Sequence, residues 1–203
     1  MNSESRRSSP LVRAASASGQ GVLEFALVLP LLLVVVLGVV ETSYALLDAH
    51  VVTKISREGS NLISRDTPLL DAVNAMRNMV TGPVNFDDGS SKLIFTVIKA
   101  GPTPGTTNFN KPILYQRYEY GTFAGQSVFA SVGNGSYSGA PDYRALNPDT
   151  DANLQIANCP PNLLSGPGSM AYVTEIYSRH VLITPLDGFG IHLPTSLYSV
   201  AYF

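Results

Sequence analysis

"ASGQGVLEFALVLPLLLVVVLGVVE" (residues 17–41) is the stretch on which the reading of this chain turns. Residues 25–40 carry no charge, yet one carboxylate, Glu24, stands directly before them and another, Glu41, closes them. A helix that crosses a bilayer needs roughly 20 mostly apolar residues. Continuing through Thr42-Ser43-Tyr44-Ala45-Leu46-Leu47 gives a span at about residues 25–47, with Glu41 near its outer interface. Pro30 removes a backbone hydrogen bond and invites a kink, which membrane helices tolerate. Arg6, Arg7 and Arg13 precede the run, against Glu4 alone. The bias toward cytoplasmic arginine therefore predicts an N-terminus inside and everything after Leu47 outside.

An ionised side chain in a bilayer costs a few kcal/mol or more, so such groups have partners. A secretory signal would have an apolar core of about 7–15 residues followed by a small-residue cleavage site. Ser43-Tyr44-Ala45 offers such a site, but this core is long and an acid opens it, which makes the signal reading the weaker one. Gly19 lies five residues before Glu24, in Gly19-Gln20-Gly21-Val22-Leu23-Glu24-Phe25. That arrangement resembles the processing site of type IV prepilins: a small residue, four variable ones, then Glu and an aromatic ahead of an apolar helix. The resemblance implies a membrane peptidase that cuts on the cytoplasmic side between Gly19 and Gln20, leaving Glu24 as the fifth residue of the mature chain. The spacing also has a physical logic. Cleavage would place a new α-amino group roughly 6 Å along the helix axis from Glu24. A carboxylate there favours the positive helix end and can pair with an amine, its own or a neighbouring subunit's.

Downstream the likeness narrows. Glu24-Phe25-Ala26, Pro30, Gly38-Val39-Val40-Glu41 and Arg57-Glu58-Gly59 together resemble the N-terminal module of TadE-like proteins, pseudopilins of the tight-adherence (Flp-type) pilus system. The likeness covers about 45 of the 203 residues. Thr42-Ser43 stands where many relatives carry an aromatic and Gly, and Ser60-Asn61 where they often carry Ala-Arg. The segment "AYVTEIYSRHVLITPLDGFGIHLPTSLYSVAYF" is similar to the family's ending, two strands around a Pro-Leu turn. Major Flp pilins are far shorter than this chain, and TadG-like members are longer. The resemblance therefore implies a minor pseudopilin that assembles, primes or caps the pilus, without catalysis or cofactor. Implied partners are a prepilin peptidase, other pilins and pseudopilins, the assembly platform and the lipid bilayer of a bacterial inner membrane. A secretion-system pseudopilin, or an anchored extracytoplasmic enzyme or binding module, is the alternative.

The rest of the chain predicts an α+β, pilin-like domain. The predicted organisation is a basic leader at 1–19, a long helix at 20–65 and an outer domain at 66–203. Leu47, Val51, Ile55 and Leu62 recur at helical spacing, so the first helix runs on past the membrane. Thr67 as cap and Pro68 at the first helical position start a second helix with an apolar stripe of Leu69, Val73, Met76 and Val80. Gly82-Pro83 stops it. Residues 92–100, 113–121, 126–132, 170–183 and 195–203 are rich in β-branched and aromatic residues and are separated by turn formers, which predicts a mainly antiparallel sheet. Asn85-Phe86-Asp87-Asp88-Gly89 is a turn signal, and residues 134–168 read as one long loop.

Other chemistry finds little purchase. A net charge of −2 gives no electrostatic case for nucleic acid. His50, His180 and His192 do not fall at metal-ligand spacing. Asp149-Thr150-Asp151-Ala152-Asn153 opens like a calcium loop, but Leu154 stands where the turn needs Gly and Pro160 where the bidentate Glu belongs. Gly133-Asn134-Gly135-Ser136 has no following Lys or helix to make a phosphate cradle, and its match to a glycosylation sequon is short enough to arise by chance. Cys159, the single cysteine, allows no internal disulfide; it reads as a quiet buried thiol, with a bridge to another chain as the alternative.

Overall fold

The computed structural model describes residues 11–80 and 82–203. Residues 1–10 of the predicted leader, with Arg6 and Arg7, lie outside the described residues, as does the side chain of Arg13. The elements are α1 (Leu11–Ile63), α2 (Leu69–Met79), β1 (Ser91–Ala100), β2 (Pro112–Tyr120), β3 (Met170–Arg179) and β4 (Ser196–Tyr202), with 3-10 turns at Ala152–Leu154 and Pro185–Phe189. The architecture is the predicted α+β, pilin-like one. The helix begins upstream of the predicted boundary at residue 20 and runs unbroken through Pro30.

The chain divides into two compact units. The first comprises the residues up to Ser43 together with Ile183–His192. Here α1 is apolar on all sides, and its most apolar window buries nothing within the protein. Such a helix lacks the one-sided stripe of a soluble surface helix. By length and composition it is able to cross a membrane. At the end of this stretch the hydroxyls of Thr42 and Ser43 donate to the carbonyls of Gly38 (2.7 Å) and Val39 (2.8 Å), so neither needs water.

The second unit comprises Tyr44–Leu182 and Leu193–Phe203. Its antiparallel sheet has the order β2-β1-β3-β4. Phe95 in β1 lies opposite Tyr118 in β2 and Thr174 in β3, which sets the register. One face buries Leu93, Phe95, Val97 and Ile176 against Val52 and Ile63 of α1 and against Leu69, Val73 and Met76 of α2. The stripe of α1 that faces the sheet is Val52, Ser56, Gly59, Ser60 and Ile63, one position round from the predicted one. Leu47 is exposed, Val51 and Ile55 flank a hollow shared with Met76 and Met79, and Leu62 packs at the core's margin. Close approach is the reason. A Cβ at Gly59 would stand 2.7 Å from Thr174 Cγ2 and 3.1 Å from Phe95 Cε1. Ser56 Oγ meets Ser199 Oγ at 2.8 Å, and Ser60 Oγ donates to the Ala201 carbonyl at 2.9 Å. Small side chains that return their hydroxyls to β4 let the helix lie that near.

In α2, Pro68 occupies the cap position instead of the first helical one, and no side chain caps the start. Leu69, Val73 and Met76 are buried as predicted, together with Ala72, while Val80 is the C-cap. The turn at residues 85–89 forms: Asn85 Oδ1 accepts from the Asp87 amide and Asp88 Oδ1 from Ser90, and Gly89 adopts φ +80°, a conformation that favours glycine.

The other face of the sheet is covered by the predicted loop. Ile98, Leu114, Ala171 and Val173 pack with Phe129 and Ile156, and Ile113 packs with Ala145 and Leu154. Residues 134–168 thus supply three core side chains. The predicted strand at 126–132 does not form; its one ladder contact is a bridge from Ser131 to Ile156. Its polar groups serve buried charges instead. Val128 N donates to Glu175 Oε1 at 2.9 Å, and Arg117 donates to the Phe129 carbonyl. The strand predicted at 170–183 ends at Arg179.

Candidate functional site

The residues predicted to matter fall into three places along α1. At the first, a Cβ added to Gly19 would meet nothing within 4 Å. Gln20 Nε2 donates to Glu24 Oε1 at 3.0 Å on an exposed surface, and Phe25 is exposed beside them. The predicted cut, between Gly19 and Gln20, lies within continuous helix. Helical spacing brings Gln20 and Glu24 onto one face, since residues four apart are neighbours.

At the second place Glu41 is fully buried. Its carboxylate accepts from the amide of Ile183 (3.1 Å), the amide of Thr184 (2.8 Å) and the Thr184 hydroxyl (2.6 Å). An acid at the end of an apolar helix is thereby given charge-assisted donors from a loop 142 residues away in sequence. Sequence reasoning placed Glu41 but not its partners, because Ile183 and Thr184 act largely through backbone amides that every residue has. Pro30 lies between the two acids in the exposed apolar part of the helix.

At the third place Arg57-Glu58-Gly59 divides by helical geometry. Gly59 turns to the sheet, whereas Arg57 and Glu58 are exposed. These two line a hollow of about 320 Å³ with Asn61, Tyr202 and Phe203, and another of about 380 Å³ with His50, Thr53 and Lys54.

A buried polar centre on the far side of the sheet escaped the sequence. Glu175, fully buried in β3, accepts from Ser127 Oγ, from Val128 N and from Tyr198 Oη (3.0 Å). Arg117 Nη2 also donates to Ser127 Oγ at 2.9 Å. Burial, aided by the Glu175 carboxylate, pushes the Tyr198 hydroxyl far above its ordinary value. Burial likewise pulls the Arg117 guanidinium down, opposed by Glu119 and Glu175. The signal available was an acid at the centre of the strand "MAYVTEIYSR"; its effect is to hold the loop that carries Phe129.

His180 Nδ1 pairs with Asp48 at 2.8 Å and His192 with Asp187 at 2.6 Å. Among the described residues no group of three His, Cys, Asp or Glu side chains is placed to hold a metal. Asp151 caps the short 3-10 turn at Ala152–Leu154 by accepting from Asn153 N. Cys159 is partly buried, and burial raises its thiol pKa.

An apolar, exposed N-terminal helix that fits a single membrane anchor and continues into a four-stranded antiparallel sheet domain defines a pilin-like α+β architecture. Residues 19–61 match the family model of TadE-like proteins, so this part of the chain is a TadE-like domain. TadE-like proteins are a structural pilus family, which suggests a protein associated with a Tad pilus. No curated protein and no solved structure matches the chain.

Proposed function

We propose that this protein is a minor pseudopilin in the assembly of a tight-adherence pilus, a structural component and not a catalyst. The observation that carries the reading is the TadE-like domain at residues 19–61, which includes Gly19, Glu24 and Phe25. A prepilin peptidase removes residues 1–19 on the cytoplasmic side. The basic leader stays inside, α1 crosses the inner membrane once, and everything after Leu47 lies outside. Two features support processing. Gly19 and Gly21 each weaken the helix by about 1 kcal/mol relative to Ala, which lowers the cost of unwinding the cut site. Gln20, whose α-amino group cleavage frees, already partners Glu24 through its side chain. Glu24 then pairs with an amine, its own or that of the next subunit, and sets the register of assembly. Arg57 and Glu58, exposed beyond the membrane, are placed to meet other pilins, pseudopilins or the assembly platform.

Mass spectrometry of the protein from cells with an active processing enzyme tests this. A mature chain that begins at Gln20 is expected, and one that retains the leader arginines overturns the reading. Glu24→Ala is expected to insert into membranes normally but to be lost from pilus assembly.

A further inference from the structure

The two acids that bound the apolar stretch are seventeen residues apart, about 26 Å along a helix. The hydrocarbon core of a bilayer is roughly 30 Å thick. If α1 spans, Glu24 and Glu41 cannot both stand clear of the hydrocarbon, and tilt only worsens the fit. Glu24 is exposed, whereas Glu41 is fully buried by its own protein. The cover is Ile183–His192, which belongs to the same compact unit as the apolar part of α1. Its Ile183 and Thr184 amides and the Thr184 hydroxyl grip the Glu41 carboxylate. The loop therefore sits at the depth of Glu41.

Its own composition suits that depth. Beside the clasp it turns apolar side chains outward, Ile183 58% and Ile191 39% exposed, while Leu186 is buried. The helix next to Glu41 also presents an apolar surface, with Val39 62% exposed. The loop's polar groups include the exposed Asp187–His192 pair, compatible with headgroups. Apolar side chains beside a polar tip are what the interfacial layer of a bilayer accepts.

We propose that Ile183–His192 is a second membrane contact: a loop clasped by Glu41 that seats Ile183 and Ile191 in the interfacial lipid of the outer leaflet. This rests on the reading of α1 as a span, and the occupant is lipid, because the apolar surface of the loop continues that of the helix.

The test uses the full chain carrying Cys159→Ser, at one copy per lipid nanodisc so that no second copy can cover the loop. Single cysteines in place of Ile183, Ile191, Val35 and Leu146 carry an environment-sensitive fluorophore. At Ile183 and Ile191, blue-shifted emission, quenching by a shallow lipid nitroxide and loss of quenching by aqueous iodide are expected. Val35 should respond to a deep nitroxide, and Leu146, exposed in the outer domain, to iodide alone. If Val35 behaves as expected while Ile183 and Ile191 follow Leu146, the loop lies in water or on protein and the proposal falls by itself. If Val35 follows Leu146, the span reading fails and the proposal with it. Adding Glu41→Leu should return the Ile183 and Ile191 labels to iodide without changing Val35; labels that stay in lipid overturn the clasp.

Discussion

Gly59 offers a direct measure of how near α1 lies to the sheet. In Gly59→Ala the new methyl falls 2.7 Å from Thr174 Cγ2, 3.0 Å from Thr174 Oγ1 and 3.1 Å from Phe95 Cε1. Alanine in a helix interior gains about 1 kcal/mol over glycine, while overpacking a core of this kind costs about 1–3 kcal/mol. The balance is a net loss of about 1 kcal/mol, or a Tm lowered by about 2–4 °C for a domain of this size. Thr174→Ala removes both colliding atoms. Its cost is about 0.8 kcal/mol for the lost methyl, offset because Thr174 Oγ1 is buried and has no hydrogen-bond partner among the described residues. The double variant should therefore be more stable than Gly59→Ala alone, with a coupling of about 1–2 kcal/mol, within the range found for side chains in contact. Urea unfolding of the detergent-solubilised full chain reports this through its ten tyrosines, there being no tryptophan. A Gly59→Ala variant that is stabilised, with effects that simply add to those of Thr174→Ala, refutes the close approach.

Two further outcomes follow from the sheet domain. Glu175→Ala leaves Ser127, Val128 N and Tyr198 without their acceptor and should cost about 3–5 kcal/mol in the same unfolding assay; a loss below about 1 kcal/mol would show that the centre does not hold the 126–132 segment. At acid pH, the Tyr120 hydroxyl and then Arg77 hold the Asp87 carboxyl below its ordinary 3.8, so its stabilisation is present above about pH 4 and is lost as pH falls through the lower folded value. Asp87→Asn should flatten that part of the stability profile, and an unchanged acid limb in the unfolding curves argues against the Tyr120–Asp87–Arg77 contact.

What the sequence displayed, and what it withheld, has a physical pattern. The apolar stretch of α1 was legible because a helix able to cross a membrane need only be long, uncharged and continuous. β1, β2, β3 and β4 were legible because β-branched and aromatic runs between turn formers have few other uses. The stripe of α1 facing the sheet was not, because it was chosen for smallness: Ser56, Gly59 and Ser60 bury themselves without looking apolar. The segment at 126–132 has strand composition, yet it gives its polar groups to Glu175 and Arg117, a choice made by tertiary neighbours. The same holds for Glu41, whose position was visible while its donors lay far along the chain on an otherwise ordinary turn.

The serine contacts between α1 and β4 join residues 143 and 141 positions apart. Closing so long a circuit is slow, since the ordering of everything between must come first. Until β4, the last strand in chain order, has docked, the outer edge of β3 offers unsatisfied amides and carbonyls that a strand from another molecule could occupy. A second copy of β4 presented to that edge would compete with the chain's own strand for the same hydrogen bonds.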